Sequence, residues 1–346
     1  MGTLEQHIDG FIELGDYLRE INTNDARYAP LFDCLQKAEH TNGWFTQKNI
    51  LQALEAWGNA LKEEKIKKWL SPYELPNHSP KNIGLILAGN IPLVGFHDVL
   101  SVLISGHNAT IKLSSSDPYL IPFLYQQLQT ISAVFKNRLH FTKDRLEDFD
   151  AVIATGSNNA ARYFDYYFAK VPNLIRKNRN GIAVLSGNES KEELAGLAQD
   201  IVQYFGLGCR NISKVYLPKG YDLNLIFGAL YPHADLMESA KYANNYDYNK
   251  AVFLMSEIDL LDNGFILLRE SEAFGSPVAC LHYQYYNTVE ELSHELENNS
   301  ENIQCICSSL SLKNARPLGK AQQPELWDYA DGVDSIAFLS KLSANC

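Results

Sequence analysis

The chain of 346 residues has few cysteines and no excess of positive charge. Its formal net charge of −11 at pH 7 argues against general nucleic-acid binding, because phosphate contacts need a net basic face. The cysteines lack the density of a disulfide scaffold, so we expect reduced thiols. Cys305 and Cys307 share one face of a predicted strand, but no neighbouring Cys or His pair completes a zinc site, and we expect no metal. The six cysteines are Cys34, Cys209, Cys280, Cys305, Cys307 and Cys346.

Long apolar runs are missing as well. Residues 1–18 lack the charged start and continuous apolar core of a secretory signal, and no apolar run is long enough to span a membrane. These absences predict a cytoplasmic protein. The pattern G-x-G-x-x-G does not occur either, which argues against an ordinary Rossmann dehydrogenase.

The elements that the sequence does predict alternate between helices and strands along most of the chain. Residues 1–70 place apolar side chains at helical spacing, with Thr46 opening one helix, and Pro72, Pro76 and Pro80 mark a connector. Beyond the connector, short apolar runs alternate with helix-length segments, which indicates parallel, doubly wound α/β sheets. The predicted strands are 83–88, 109–114, 139–142, 150–155, 181–187, 214–218, 265–270, 279–286 and 303–309.

Cys209 lies in the segment YFGLGCRN, shortly after a predicted helix that opens with a capping box at 190–193. Gly206 and Gly208 have no side chains to shield the sulfur, and the charge of Arg210 favours the ionised thiolate. A nucleophilic catalyst is therefore one interpretation of Cys209. A buried structural cysteine is the other.

Two predicted strands end in residues that suit ligand binding, because ligands bind at strand ends in such sheets. Asn90 follows the first strand, with Pro92 at the expected helix start, and its amide can donate to an oxyanion or satisfy its own turn. Thr155, Gly156 and Ser157 lie where a strand gives way to a helix, and backbone N–H groups there can hold a pyrophosphate. The alternative is that Thr155 or Ser157 only caps the helix.

Five motifs follow one another along the chain: AGNIP (88–92), IKLSSSDP (111–118), ATGS (154–157), FGLGCRN (205–211) and ESEAFGSPV (270–278). In this order and spacing they resemble the aldehyde dehydrogenase superfamily. They are most similar to its acyl-CoA reductase branch, the LuxC-like fatty-acid reductases of bacterial bioluminescence and their relatives. The resemblance covers roughly Lys81 to the C-terminus and implies an aldehyde-dehydrogenase-like α/β fold, with two doubly wound α/β domains and an N-terminal helical segment.

Position by position, the resemblance implies a catalytic pair and a nucleotide site. Cys209 matches the nucleophile of the superfamily, and Asn90 matches the amide that forms an oxyanion hole with the cysteine's own backbone N–H. Lys112 matches the lysine that reaches the adenosine ribose, and Glu272 and Phe274 match the pair that grips the nicotinamide ribose. The remaining nucleotide-binding positions are Ser114 and Ser115 after the lysine and the pyrophosphate turn Thr155, Gly156 and Ser157.

The length exceeds that of one hydrophobic core, so more than one domain is expected. We expect N-terminal helices at 1–80 that pack on the cofactor domain, a Rossmann-like NADP(H)-binding domain at 81–187 and a catalytic α/β domain at 188–315. The C-terminal segment 316–346 contains, at 335–342, a candidate oligomerisation strand, and we expect a homodimer.

Two departures from the oxidising members of the superfamily bear on cofactor and direction. Ser115 stands where members that prefer NAD often carry a glutamate that repels a 2′-phosphate, so NADPH is expected over NADH. Oxidising members also carry a glutamate upstream of the cysteine as the base that activates water, whereas no carboxylate occurs between Asp165 and Glu189. Without such a base an acyl-enzyme survives long enough for hydride transfer.

The resemblance therefore implies NADPH-dependent reduction of a fatty acyl thioester to the aldehyde through an acyl-cysteine intermediate. The expected donor is acyl-CoA or a carrier-bound acyl group, supplied by a partner protein as in the bioluminescence system. Two alternatives stay open: an NAD(P)-dependent aldehyde dehydrogenase working in the oxidising direction, and a Cys-dependent acyltransferase or thioesterase that consumes no nucleotide.

Overall fold

The structure of the protein, a computed structural model, describes residues 2–75 and 79–344. The chain forms two compact units. The first unit comprises the residues up to Lys177 and those from Glu325 onward. The second unit comprises Asn178–Pro324. Pro76 of the predicted connector and Cys346 lie outside the described residues.

Helices open the first unit, as the apolar spacing predicts. Thr46 caps one of them by accepting a hydrogen bond from the backbone N–H of Asn49 at 3.2 Å, which confirms its predicted role. Phe11 and Ile50 point inward and are fully buried. The helices are α1 (Leu4–Arg19), α2 (Ala29–Thr41), α3 (Gln47–Ala60) and α4 (Glu63–Leu70).

A five-stranded parallel sheet forms the centre of the first unit. Its strands are β1 (Asn82–Ile86), β2 (Asn108–Lys112), β3 (Leu139–Thr142), β4 (Ala151–Thr155) and β5 (Asn173–Arg176). They lie in the order β3-β2-β1-β4-β5. The connecting helices are α5 (Phe96–Ile104), α6 (Leu120–Ile131) and α7 (Asn158–Tyr167). The sequence does not predict β5, because its four residues place only Leu174 and the polar Arg176 in the interior.

A seven-stranded sheet forms the centre of the second unit. Its strands are β6 (Asn180–Val184), β7 (Ile212–Pro218), β8 (Leu261–Asp262), β9 (Leu267–Glu270), β10 (Cys280–Tyr286), β11 (Ile303–Ser308) and β12 (Ala315–Arg316). They lie in the order β12-β11-β6-β7-β10-β9-β8, and only the pairing of β8 with β9 is antiparallel. The helices are α8 (Lys191–Val202), α9 (Asn224–Leu230), α10 (Ala240–Met255) and α11 (Val289–Asn298).

The capping box predicted for α8 is confirmed. Ser190 accepts from the N–H of Glu193 at 3.1 Å, and the Glu193 carboxylate accepts from the N–H of Ser190 at 2.7 Å. The predicted inner face of the helix lies in the main core of the second unit, beside the strands β7 and β10. Its buried residues are Leu194, Leu197, Ala198, Ile201 and Val202.

Two expectations about the division of the chain differ from the structure. Strand β6 pairs with β7 and β11 in the second sheet, so the first unit ends at Lys177, ahead of the expected boundary at 187. The expected segment 316–346 is also split, since the chain returns to the first unit at Glu325. Strand pairing between distant residues set both boundaries, and local patterns do not report it.

The expected oligomerisation strand at 335–342 is wrong. These residues lie in the helix α12 (Ser335–Ala344), which packs against α5 in the first unit. Ile336 and Leu339, three residues apart, are both fully buried, so the apolar residues face the interior from one side of a helix. Among residues 2–75 and 79–344, no helix combines the length and the apolar character needed to cross a membrane.

Candidate functional site

The predicted residues of the first unit meet at one edge of its sheet. Asn90 follows β1, Lys112 ends β2 and Thr155 ends β4, and these three strands are neighbours in a parallel sheet. Their carboxyl ends therefore lie side by side. Asn90 and Ser115 are exposed, and Lys112 is half-buried.

The loops after β1 and β2 are packed closely against each other. A Cβ added to Gly89 would lie 2.5 Å from the Ser114 hydroxyl oxygen and 2.6 Å from the Ser114 Cβ. Only a glycine permits this approach, so the position of Asn90 is tied to that of Ser114.

Asp117 fastens the same two loops. Its carboxylate accepts from the backbone N–H of Leu93 at 3.4 Å and from that of Leu120 at 3.3 Å, and only 4% of the residue is exposed. Burial raises the pKa of the Asp117 carboxyl to about 6. Sequence reasoning missed this anchor, although the S-D-P turn in IKLSSSDP was the signal for it.

The expected helix start at Pro92 is wrong, because α5 begins at Phe96. Leu93 has φ of 58°, in the left-handed region that an α-helix cannot contain. Residues 92–95 instead form a turn ahead of the helix, and the N–H of Leu93 in this turn reaches Asp117.

The turn at 155–157 shows the capping interaction. Ser157 is the N-cap of α7 and accepts from the N–H of Ala160 at 3.2 Å. The N–H of Gly156 donates to the carbonyl of Arg176 at 3.3 Å and so extends the pairing of β4 with β5. Capping is thus confirmed for Ser157, and a pyrophosphate contact at this turn stays a prediction.

In the second unit, Cys209 lies on a tight turn between α8 and β7. The residues Tyr204, Phe205 and Gly206 all have positive φ, from 52° to 75°, and turn the chain sharply after the helix. Of the five cysteines that the structure describes, Cys209 is the one that is not buried, and none of the five forms a disulfide. Cys209 is therefore not fully buried, and its interpretation as a nucleophile stays a prediction.

Asn211 holds the Cys209 turn from beneath. Its side-chain oxygen accepts from the N–H of Gly208 at 2.8 Å, and its amide lies 2.8 Å from the carbonyl of Gln203 and 3.0 Å from that of Asp200. The residue is 2% exposed, so these bonds are shielded from water. Sequence reasoning missed Asn211, although it is the last residue of the FGLGCRN motif.

The loop that carries Glu272 and Phe274 reaches the same end of β6 and β7 as the Cys209 turn. A Cβ added to Gly181 would lie 2.6 Å from the carbonyl oxygens of both Arg210 and Asn211, so β6 starts directly against the turn. The Ser213 hydroxyl lies 2.8 Å from the carbonyl of Phe274 and 3.2 Å from that of Gly181. The structure thus brings the Cys209 turn and the Phe274 loop together around the first residues of β6.

Several polar residues near the predicted motifs have structural roles. Arg176, which lies in the carboxylate-poor stretch before Cys209, is 3% exposed and ion-pairs with Asp98 at 2.7 Å. His107 is fully buried and accepts from the N–H of Lys81, and His97 Nε2 lies 2.9 Å from the carbonyl of Leu326. These contacts favour a structural role for both histidines.

A family model described as acyl-CoA reductase (LuxC) matches residues 46–225. The long-chain acyl-protein thioester reductase of Aliivibrio fischeri is 26% identical over 204 residues, which cover 54% of this chain and 42% of the relative. The corresponding protein of Photorhabdus laumondii subsp. laumondii is 22% identical over 297 residues, which cover 74% of this chain and 61% of that protein. The chain therefore spans less than two thirds of the length of each relative.

The fold is also that of solved aldehyde dehydrogenases. The crystal structure of a mutant aldehyde dehydrogenase C from Pseudomonas syringae, in complex with NAD+ and octanal, aligns with a TM-score of 0.62. The alignment covers 90% of this chain and 77% of that one at 12% identity. This likeness confirms the expected fold class.

Proposed function

The chain belongs to the acyl-CoA reductase (LuxC) family, and on that basis we propose that it reduces a fatty acyl thioester to the aldehyde through an acyl-Cys209 intermediate. The observation that carries the proposal is the setting of Cys209. It lies outside the core, on a turn that Asn211 holds rigidly. A thioester carbonyl can approach such a sulfur, whereas the other described cysteines are buried.

The reaction begins when the Cys209 thiolate attacks the carbonyl carbon of the thioester. The bond from that carbon to the donor's sulfur breaks, the donor leaves as a thiolate, and the acyl group stays on Cys209. We assign to the Asn90 amide the donation of a hydrogen bond to the carbonyl oxygen while it is negative. NADPH, when bound, supplies a hydride to the acyl carbon. The thiohemiacetal on Cys209 then collapses, which releases the aldehyde and restores the thiolate.

The residues assigned to the nucleotide suit NADPH. Ser115 is exposed and lies three residues after Lys112, the last residue of β2. A lysine next to small hydroxyl residues accepts a 2′-phosphate without the repulsion that a glutamate at Ser115 would create. Lys112 would hold the adenosine ribose, and Glu272 with Phe274 would hold the nicotinamide ribose.

The proposed direction rests on a feature of the sequence. Between Asp165 and Glu189 no carboxylate occurs that could act as a base toward water. Without such a base, an acyl group on Cys209 would survive until hydride transfer.

The substrate that we propose is a long-chain acyl group on CoA or on a carrier protein. The names of the relatives specify long-chain acyl-protein thioesters, and the Pseudomonas syringae structure holds octanal, an aliphatic aldehyde of the product class. We further propose that a partner protein supplies the acyl group, that the chain forms a homodimer and that it acts in the cytoplasm.

The test is to mix the protein with acyl-CoAs of graded chain length and either NADPH or NADH, and to follow nucleotide absorbance while trapping the aldehyde. Cys209→Ala should abolish aldehyde formation and leave nucleotide binding intact. Cys34→Ala, at a buried cysteine of the first unit, is the matched control and should remain active.

Three results would reject the proposal. The first is aldehyde formation by Cys209→Ala at the wild-type rate. The second is release of free acid by the wild type with no nucleotide consumed, which would indicate a thioesterase. The third is reduction of NAD+ or NADP+ when an aldehyde is added, with no oxidation of NADPH or NADH when acyl-CoA is added. That result would indicate an aldehyde dehydrogenase working in the oxidising direction.

A further inference from the structure

Side chains of the second sheet bind three successive carbonyls of the segment Glu272–Phe274. Lys214 Nζ donates to the first carbonyl at 2.7 Å, and Ser213 Oγ donates to the third at 2.8 Å. His282 Nδ1 lies 3.1 Å from the second. A loop whose backbone oxygens are all held in this way has little freedom to move, so the directions of its side chains are set from the sheet.

Lys214 has the least expected setting of the three. It lies on the central strand β7 with no exposed surface, and its ammonium also donates to the Gln284 side-chain oxygen at 2.6 Å. The ammonium lies 4.6 Å from the centroid of the Tyr216 ring and 5.1 Å from that of Phe274. Lys214 therefore contacts Phe274 through the ring and holds the loop through the carbonyl of Glu272.

A packing role does not explain this lysine. Burial lowers the pKa of Lys214 to about 8, because the interior disfavours the charged form. An apolar side chain of the same length would fill the volume without that penalty. What the ammonium adds is a set of donors and a cation at one point of the loop.

We infer that Lys214 is a positioning residue, which holds Glu272 and Phe274 in the arrangement that grips the nicotinamide ribose. This inference rests on the proposed function, since that function gives the loop its nucleotide. Lys214 acts through the loop and does not touch the acyl group. Its loss should therefore affect the steps that need nucleotide and spare the acylation of Cys209.

The test compares Lys214→Met with the wild type in two separate half-reactions. Acylation is measured by mass spectrometry of the intact protein after mixing with acyl-CoA and no nucleotide, and its rate should be unchanged. The KM for NADPH should rise roughly tenfold, the effect of losing about 1.4 kcal/mol from the hydrogen bonds that hold the loop. Lys214→Arg, which keeps the charge and donors, should recover most of the affinity.

Hydrogen exchange of residues 271–279 provides a readout besides activity. Exchange in this segment should be faster in Lys214→Met than in the wild type, with no change in the Cys209 turn. Lys250→Met is the matched control, because Lys250 is a partly exposed lysine of the same unit whose amine pairs with Asp262 at 2.6 Å. It should leave both the KM and the exchange of the loop unchanged.

The outcomes separate the two proposals. A wild-type protein that forms no acyl-Cys209 and no aldehyde rejects the proposed function before any variant is made. An active wild type with the same KM, kcat and loop exchange in Lys214→Met overturns the role of Lys214. If Lys214→Met does not fold, Lys214→Gln decides, since it removes the charge and keeps a polar side chain: an unchanged KM for NADPH and unchanged exchange of residues 271–279 overturn the inference, and a raised KM with faster exchange supports it.

Discussion

Single residues hold the two loops that carry the predicted chemistry. Gly89 in the first unit and Gly181 in the second each leave no room for a Cβ, with backbone or hydroxyl atoms of the next loop within 2.6 Å of that position. Each contact positions a residue to which we assign a catalytic role: Asn90 is adjacent to Gly89, and the Cys209 turn lies against Gly181. The placement of both residues therefore depends on neighbours that have no side chain.

Asn90 is exposed, and the loss of its side-chain amide should slow the reaction. Asn90→Ala should lower kcat/KM for acyl-CoA by about 10² to 10³, because the carbonyl oxygen loses a donor when it becomes negative. Steady-state kinetics with NADPH saturating measures the change. Asn90→Asp, which keeps the volume and replaces the amide donor by an acceptor, should be at least as impaired. A wild-type rate in Asn90→Ala would leave this side chain as a turn residue.

The elements that carry the site are fixed by buried polar side chains at their ends. Asn211 joins the end of α8 to the start of β7, and Asp117 joins the loop after β2 to the turn before α5. Both side chains satisfy backbone groups that would otherwise be buried without partners. The Asp117 contact places a carboxylate in the interior, which has a consequence for stability.

Asp117 should make the stability of the first unit depend on pH. Its pKa is about 6 in the folded protein against an ordinary 3.8, so the folded state binds a proton that the unfolded chain has lost. Stability then falls as pH rises through this range. From pH 5 to pH 8 the free energy of unfolding of the wild type should fall by about 1 kcal/mol relative to Asp117→Asn, which cannot titrate.

Urea unfolding followed by tryptophan fluorescence measures this difference in the first unit. All four tryptophans lie in that unit, at Trp44, Trp57, Trp69 and Trp327. Burial also raises the pKa of Asp200 in the second unit to about 6, but its contribution is the same in the wild type and in Asp117→Asn and cancels in the comparison. A difference between wild type and variant that is constant from pH 5 to pH 8 would contradict the prediction.

At the scale of the whole molecule, a buried ion pair connects segments of the first unit that are far apart in sequence. Arg176 Nη2 lies 2.7 Å from Asp98 and 2.9 Å from the Ser335 hydroxyl, and its Nη1 donates to the carbonyl of Ala330 at 2.6 Å. One guanidinium thus joins α5, the end of β5 and the returning C-terminal segment. Arg176 lies just before the chain enters the second unit at Asn178, and Ala330 and Ser335 lie just after it returns to the first unit at Glu325.

Arg176→Met should therefore destabilise the first unit by about 3 to 5 kcal/mol, since it leaves the Asp98 carboxylate buried without its cation. Tryptophan fluorescence in urea reports the loss. The double variant Asp98→Asn with Arg176→Met removes both charges and should recover a large part of the stability. Equal stability of the single and double variants would show that the uncompensated charge is not the cause.

Local sequence patterns were sufficient for most helices and strands. The apolar runs predicted nine strands that the structure contains, and the capping residues Thr46 and Ser190 were predicted correctly, because each signal arises within a few residues. The same holds for the partly exposed position of Cys209, which follows Gly206 and Gly208. These features depend on backbone geometry and neighbouring side chains, which the linear sequence contains.

Contacts between distant residues decided the rest. The assignment of β6 to the second sheet, the return of the chain at Glu325 and the helix α12 follow from pairing and burial against segments far away in sequence. The role inferred for Lys214 also depends on distant residues. Its amine donates to the carbonyl of Glu272, which lies fifty-eight residues further along the chain, and only folding brings the two together. Burial and long-range hydrogen bonds have no local signature, and only the folded chain reveals them.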